Sequence, residues 1–430
     1  MSKLKYIQTL GKKAKKASEE LSNINDKKKN AVLKTFYSEI KNNTKQILNA
    51  NKIDIINSKK NKLKDNLIDR SMLNLDRIKS ILASIEEVIS FKDPTNKILA
   101  KWKRPNGLVI NRVTMPIGVL GVIYEARPNV TSDVSVLSFK SGNAAILRGG
   151  KEAFRSNIAI SNLFRTSLKK NKINQDCIQL VNNTNRKLVD LMLSKMSAYI
   201  DIIIPRGGKG LVKKVLDLSS VPTIGHLEGL CHVYLDKSYN LKKAEKIIFN
   251  SKLRRTSICG AAETLLIHKS VKKNDIKHIL EKLNNHGCKI IGDKNIKKIF
   301  RFTLPVKEKD WSTEYLDSKI SVKIVDNIDE AINHIKKYGT NHTECIISND
   351  KKNIIKFSKQ IQSSIVMTNA STQFADGYEF GLGAEVGIST NKLHPRGPVG
   401  LEQLTSYKYI VKGNGQIRPW LKELKKILEY

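Results

Sequence analysis

Apolar residues recur at helical spacing through residues 1–90, as in Leu73, Ile78, Ile81, Leu82, Ile85 and Val88, set among lysines with little glycine or proline. A stripe of that period predicts amphipathic helices on a surface, and this section shows no chemistry of its own. The pattern changes at Ile98. Ile98-Leu99-Ala100-Lys101-Trp102-Lys103-Arg104 and Leu108-Val109-Ile110-Asn111-Arg112-Val113-Thr114-Met115 flank Pro105-Asn106-Gly107, which reads as a β-hairpin and a plausible oligomerisation arm. From residue 116, short apolar runs alternate with helical stretches: Gly118–Tyr124, Ala144–Leu147, Cys177–Val181 and Tyr199–Ile204. Buried runs spaced by helices predict a parallel sheet, and with it a dinucleotide-binding α/β domain. A second series, Thr264–His268, Lys289–Ile291, Ser321–Val325 and Glu344–Ser348, predicts a second α/β domain. After a glycine-rich stretch, Thr405–Val411 predicts a last strand, turning at Gly413-Asn414-Gly415.

A chain of 430 residues, 40% hydrophobic and 6% aromatic, fits a soluble enzyme of two or three domains. No apolar run approaches the ~20 residues that span a bilayer, and Met1-Ser2-Lys3-Leu4-Lys5-Tyr6 lacks the apolar core of a secretory signal. A cytoplasmic location without membrane contact is expected. Cys177, Cys231, Cys259, Cys288 and Cys345 are odd in number, far apart and without a Cys-x-x-Cys pair. That spacing suggests neither a disulfide framework nor a metal site. The formal net charge of +37 admits two readings. Clustered Lys and Arg would bind a polyanion by counterion release. Here, however, lysines are spread along the whole chain beside Asn and Ile, as in Lys59-Lys60-Asn61-Lys62 and Lys294-Asn295-Ile296-Lys297-Lys298. Solvated surface charge is the better reading, with no specific nucleic acid and a field that draws in small phosphorylated anions.

Three local constellations carry candidate chemistry. Cys259 sits in Arg254-Arg255-Thr256-Ser257-Ile258-Cys259-Gly260-Ala261-Ala262-Glu263, where cationic neighbours on a turn favour the thiolate, the nucleophilic form. A free Cys is equally a small hydrophobe that packs in a core. Arg206-Gly207-Gly208-Lys209-Gly210 follows a predicted strand and precedes the helical Leu211–Leu216. It can cradle a phosphate at a helix N-terminus or simply turn tightly. Asn129, just beyond the strand ending at Tyr124, can donate to an oxyanion or cap a helix.

Together these blocks resemble the glutamate-5-semialdehyde dehydrogenase (γ-glutamyl phosphate reductase) family of the aldehyde dehydrogenase superfamily, over residues 5–418. The most specific piece is Val325–Ile346, with Val325, Ala331, His334, Tyr338-Gly339-Thr340 and His342-Thr343-Glu344 at the family's spacings. Supporting blocks are Pro116–Asn129, Gly142–Ala153, the Cys259 segment, and Asn369–Thr372 through Gly383–Thr390. The resemblance implies an α/β, aldehyde-dehydrogenase-like fold. A Rossmann-type cofactor domain is expected from 1–97 and 116–252 with part of 371–400, a catalytic domain from 253–370, and a small β arm from 98–115 and 401–430 that assembles a homo-oligomer.

The resemblance also implies a reaction, the second step of proline synthesis. Cys259 matches the nucleophile that takes the acyl group of γ-glutamyl phosphate, and a nicotinamide hydride then reduces the thioester to glutamate 5-semialdehyde. Asn129 matches the oxyanion donor, and Glu314 falls where the superfamily holds the nicotinamide ribose. Arg206, Gly207 and Gly208 are expected at the cofactor; Arg254, Arg255 and His342 are expected at the substrate. His342, Thr343 and Glu344 either orient the substrate or pack. Many NAD-using relatives read Lys-Pro-x-Glu where this chain reads Arg148-Gly149-Gly150-Lys151. Replacing a carboxylate by an ammonium favours a 2′-phosphate, so NADPH is the expected cofactor. Glu228 lies near the place of the water-activating base of oxidising relatives, a role a reductase does not need. No kinase domain is present in the chain, so a separate glutamate 5-kinase is the expected supplier and a potential partner. An oxidising or CoA-acylating aldehyde dehydrogenase is the alternative.

Overall fold

The computed structural model describes residues 1–63 and 65–418. Five helices open the chain: Lys3–Leu21, Asp26–Asn42, Thr44–Lys60, Asp65–Ser71 and Leu75–Ser90. Ser2, Asn25 and Asn74 cap three of them, each side chain accepting from a backbone N–H in the first turn. The predicted stripe lies on the last of the five, where Ile78, Ile81, Ile85 and Val88 are buried. Asp26–Asn42 and Leu75–Ser90 pack on one face of a sheet, while Ile7 and Ala14 of Lys3–Leu21 pack with Val119 and Ile146 on the other. Val32, Leu33, Phe36 and Ile40 share a core with Leu137, Phe139, Phe164 and Leu168, and Phe36 and Phe139 both stand edge-on to Phe164 at 4.7 and 5.7 Å.

That sheet has the order Ile178–Leu180, Ala144–Arg148, Val119–Tyr124, Ile202–Arg206, all parallel. Chain order reverses between Val119–Tyr124 and Ile202–Arg206. The connections leaving their carboxyl ends therefore diverge and open a crevice, the usual ligand position in such sheets.

The second sheet runs Leu304–Pro305, Lys289–Gly292, Lys319–Val325, Ala262–His268, Cys231–Leu235, Thr343–Ile347, Ile365–Thr368, again all parallel. The domain boundary expected between residues 252 and 253 does not hold. Cys231–Leu235 is a fully buried strand in the middle of this sheet, and Ala244 and Ile248 of the helix Leu241–Leu253 pack in the same core as Leu265 and Ile267. Both elements belong to the second domain.

The hairpin forms from Ile98–Lys103 and Val109–Pro116, with Thr405–Lys412 antiparallel along the other edge of Val109–Pro116. Gly107 adopts φ 89° in its turn, where a side chain would be strained. Residues 419–430, expected in the arm, lie outside the described residues. Among the described residues, no helix is long and apolar enough to cross a membrane.

One ion pair fastens the loop between helix Leu241–Leu253 and strand Ala262–His268. Lys252 Nζ lies 2.6 Å from Glu263 Oε2, with the side chains 0% and 1% exposed. A buried pair tolerates loss of both charges far better than loss of one. Lys252→Met is expected to destabilise the fold by about 3–5 kcal/mol, and Lys252→Met with Glu263→Gln to recover much of that. Chemical denaturation of the two variants checks the order; equal losses would show that the pairing is not what matters.

Candidate active site

Cys259 lies in the loop just before strand Ala262–His268. Its neighbour in the sheet is Cys231–Leu235, and beyond that Thr343–Ile347. Because all three strands are parallel, the segments that precede them meet at one edge. This brings His226–Gly229, Cys259 and His342 together although they are far apart in sequence. One nitrogen of each imidazole and the Cys259 sulfur lie within 4.8 Å of one another, and the imidazole centroids are 4.8 Å apart. His226 Nδ1 is 2.7 Å from the Ile388 carbonyl, to which it must donate, so Nε2 is the nitrogen that gains or loses the proton. His342 is fully buried. Its Nδ1 is held 2.9 Å from Thr343 Oγ1, while Nε2 has no hydrogen-bond partner.

These imidazoles set the state of the thiol. Burial pushes the Cys259 thiol up, but His342 and His226 outweigh it and hold the group well below the ordinary thiol range. Burial pulls His226 down, and the Cys259 thiolate more than reverses this. The other four cysteines are buried, and desolvation pushes their thiols up. Close packing at Cys259 requires Gly229: a Cβ there would collide with Cys259 Cβ.

Cys259 opens into a cavity of about 520 Å³ between the amino-end edge of the second sheet and the carboxyl-end edge of the first. Arg254 and Arg255, expected at the substrate, line it, and so do Arg70, Arg127 and Arg206. Arg127 has no ion-pair or side-chain hydrogen-bond partner among the described residues. Burial, and then the nearby Arg206, Arg70 and Arg255, pull its guanidinium down to about 10. Such a group is stabilised by an arriving anion. Arg70 donates to the Ser257 carbonyl at 2.9 Å, so the N-terminal helices do contribute to the site, contrary to the expectation of a chemically silent surface.

The expected cofactor residues divide into two groups. Glu314 faces the Cys259 cavity and accepts from the Gly229 N–H at 2.9 Å; burial raises its carboxyl. Glu228 is paired with Lys209 at 2.7 Å. Arg148 and Lys151 line a second cleft of about 400 Å³ beyond Val119–Tyr124, together with Arg186 and Lys214. Arg148 is buried, its guanidinium donating to the carbonyls of Gly149 and Thr184, with Nε unpartnered. Lys151 is the exposed cation of the two. Arg206 approaches Glu385 at 3.5 Å. In the Gly207-Gly208 turn, the Gly208 N–H donates to Glu125 at 2.9 Å. A carboxylate thus occupies the N–H expected to meet a phosphate.

Asn129 does not line the Cys259 cavity. It lies in the adjoining cleft with Arg127, Asp133 and Arg206, and its amide donates to Asp133 at 3.0 Å. Burial brings that carboxyl up to about 7. His226, Arg127 and Arg70 are the residues that sequence reasoning passed over. The first two stand within segments already singled out for Glu228 and Asn129; Arg70 carries no local signal.

No family model matches the chain. It is 46% identical over 409 residues to the γ-glutamyl phosphate reductase of Brucella suis biovar 1, covering 95% of this chain and 97% of that protein. The crystal structure of γ-glutamyl phosphate reductase from Thermotoga maritima superposes with a TM-score of 0.93 at 42% identity, covering 97% of this chain and 100% of the other. An acetylating aldehyde dehydrogenase from Geobacillus thermoglucosidasius shares the fold, with a TM-score of 0.69 at 17% identity over 97% and 98% of the two chains. On this likeness in sequence and structure, the chain belongs to the γ-glutamyl phosphate reductase family and has its aldehyde-dehydrogenase-like α/β fold.

Proposed function

We propose that the protein reduces γ-glutamyl phosphate to glutamate 5-semialdehyde with release of phosphate, as a cytoplasmic NADPH-dependent enzyme of proline biosynthesis. The observation that carries this reading is a thiol held low by two imidazoles in a cavity lined by five arginines, of which Arg127 has no ion-pair partner among the described residues. A neutral aldehyde needs no such cations, whereas a substrate with a phosphate and a carboxylate does.

The Cys259 thiolate attacks the acyl carbon, the C–O bond to phosphate breaks, and a γ-glutamyl thioester forms. Arg70, Arg127 and Arg255 receive the anionic groups, and the leaving phosphate departs as an anion among them. The oxygen that gains charge is met by the Cys259 backbone N–H, and Asn129, in the adjoining cleft, is the second donor that the family resemblance implies. A bound nicotinamide would supply the hydride that takes the thioester to the aldehyde and frees the Cys259 thiolate. Glu314 would hold the nicotinamide ribose, and Lys151, Arg186 and Arg148 the adenosine end. The pairing of Glu228 with Lys209 argues against its activating water, which would hydrolyse the thioester. The arm is proposed to assemble a homo-oligomer, because Trp102, Tyr407, Tyr409, Ile410 and Val411 are exposed on it.

With glutamate 5-semialdehyde, NADP and phosphate, the wild type is expected to form NADPH only when phosphate is present. Cys259→Ala should lose about 10³-fold or more. Phosphate-independent turnover, or activity in the variant, would sink the mechanism. Replacing Lys151 by Glu and Arg186 by Ala should reduce the NADPH-to-NADH preference by about tenfold or more, the worth of one or two charge-assisted hydrogen bonds; paired kcat/KM values for the two cofactors check it. Trp102→Asp with Tyr409→Asp should give a smaller particle in sedimentation velocity, and an unchanged particle would remove the arm from the interface.

A further inference from the structure

We propose that Cys259, His226 and His342 also form a binding site for a borderline-soft divalent cation, zinc above all, that reversibly silences the thiol. They are the one group of three His, Cys or carboxylate side chains in mutual ligand range among the described residues, with ligand atoms within 4.8 Å of one another. Tetrahedral zinc with one sulfur and two imidazole nitrogens needs ligand separations of about 3.4–3.7 Å. A closure of about 1 Å achieves this.

The second observation is what lies behind the imidazoles. A metal-binding His typically engages its other ring nitrogen with an oxygen, fixing the tautomer. Here both do: His226 Nδ1 on the Ile388 carbonyl at 2.7 Å and His342 Nδ1 by Thr343 Oγ1 at 2.9 Å. His342 Nε2 is buried without a partner. The 520 Å³ cavity leaves the fourth position open. Arg70, Arg127 and Arg206 oppose a bare dication there, so that position takes an anion such as chloride. The cysteine spacing gave no sign of this site, since its ligands precede three different strands. The site itself is independent of the proposed reaction; only its inhibitory consequence rests on Cys259 being the nucleophile.

Metal-free protein is titrated with Co²⁺ as a spectroscopic probe, then with Zn²⁺ in competition. One equivalent of cobalt should give a thiolate-to-metal charge-transfer band and tetrahedral visible bands, both removed by zinc. Cys259→Ser should abolish the charge-transfer band, and His226→Ala and His342→Ala should each weaken binding at least tenfold, with melting curves confirming folded protein. Glu245→Ala, at the surface His278–Glu245 pair, should change nothing. In wild-type protein, stoichiometric zinc should also protect Cys259 from iodoacetamide, read by mass spectrometry, which tests the site without any variant. A cobalt–thiolate band that survives Cys259→Ser, affinity unchanged in both histidine variants, or an unprotected Cys259 would overturn the proposal. Failure of the phosphate-dependent assay with these results intact would overturn the reaction and leave the metal site standing.

Discussion

The site depends on where one strand sits. Cys231–Leu235 is hydrogen-bonded between Ala262–His268 and Thr343–Ile347, and only that adjacency makes neighbours of the segments preceding them. The loops are then locked. Leu230 N–H donates to Thr340 Oγ1 at 3.0 Å, and Gly229 N–H to Glu314. Glu344, fully buried, accepts from both the backbone N–H and Nδ1 of His232 at 2.9 Å, which ties the start of Thr343–Ile347 to its neighbour. A slip of register would leave that carboxylate buried and unpaired, a large penalty that specifies a single alignment.

Charge in the cavity follows from the same placement. The carboxyl edge of the first sheet delivers Arg127 and Arg206, the second sheet delivers Cys259 with Arg254 and Arg255, and the N-terminal helices add Arg70. Asp376 and Glu379 offset part of this charge, but Glu228 is paired with Lys209, burial raises Glu314 and Glu385, and Arg127 has no ion-pair partner among the described residues. The cavity is therefore poised for an incoming anion in a way that the chain's overall charge does not reveal. Most of the +37 is spread over surface lysines. The cavity's share is five arginines, of which Arg206, Arg254 and Arg255 stand in segments that the sequence singles out while Arg70 carries no local signal.

Legibility in the sequence tracked the range of the interaction. Apolar runs reported the strands Val119–Tyr124, Ala144–Arg148, Ala262–His268 and Thr343–Ile347 because burial on both faces writes itself into consecutive residues. The hairpin was legible from its Pro-Asn-Gly turn. Cys231–Leu235 was misplaced because Cys231-His232-Val233-Tyr234-Leu235 lacks a long aliphatic run and its position is decided by partners more than 25 residues away. Arg70 was invisible for a related reason: a lysine-rich amphipathic helix gives no hint that one of its cations reaches Ser257. The Gly207-Gly208 turn was read correctly as a turn before a helix, but its N–H is met by Glu125, a contact across 83 positions.

The Val325–Ile346 block, by which the family is most readily identified, illustrates what a signature contains. Ile328, Ala331, Ile332 and Ile335 are the buried face of a helix capped by Asn327. His334 packs between Trp311 and Tyr338 at 5.1 and 4.6 Å, where burial pushes its imidazole down to about 3, so it stays neutral and takes no part in proton transfer near neutral pH. Thr340 and Glu344 fasten the central strand. Only His342 faces the thiol, and Thr343 steadies it from behind. A block can therefore identify a family almost entirely through residues that hold one imidazole and one strand in place, because a nucleophile is no better than the backbone register that presents it.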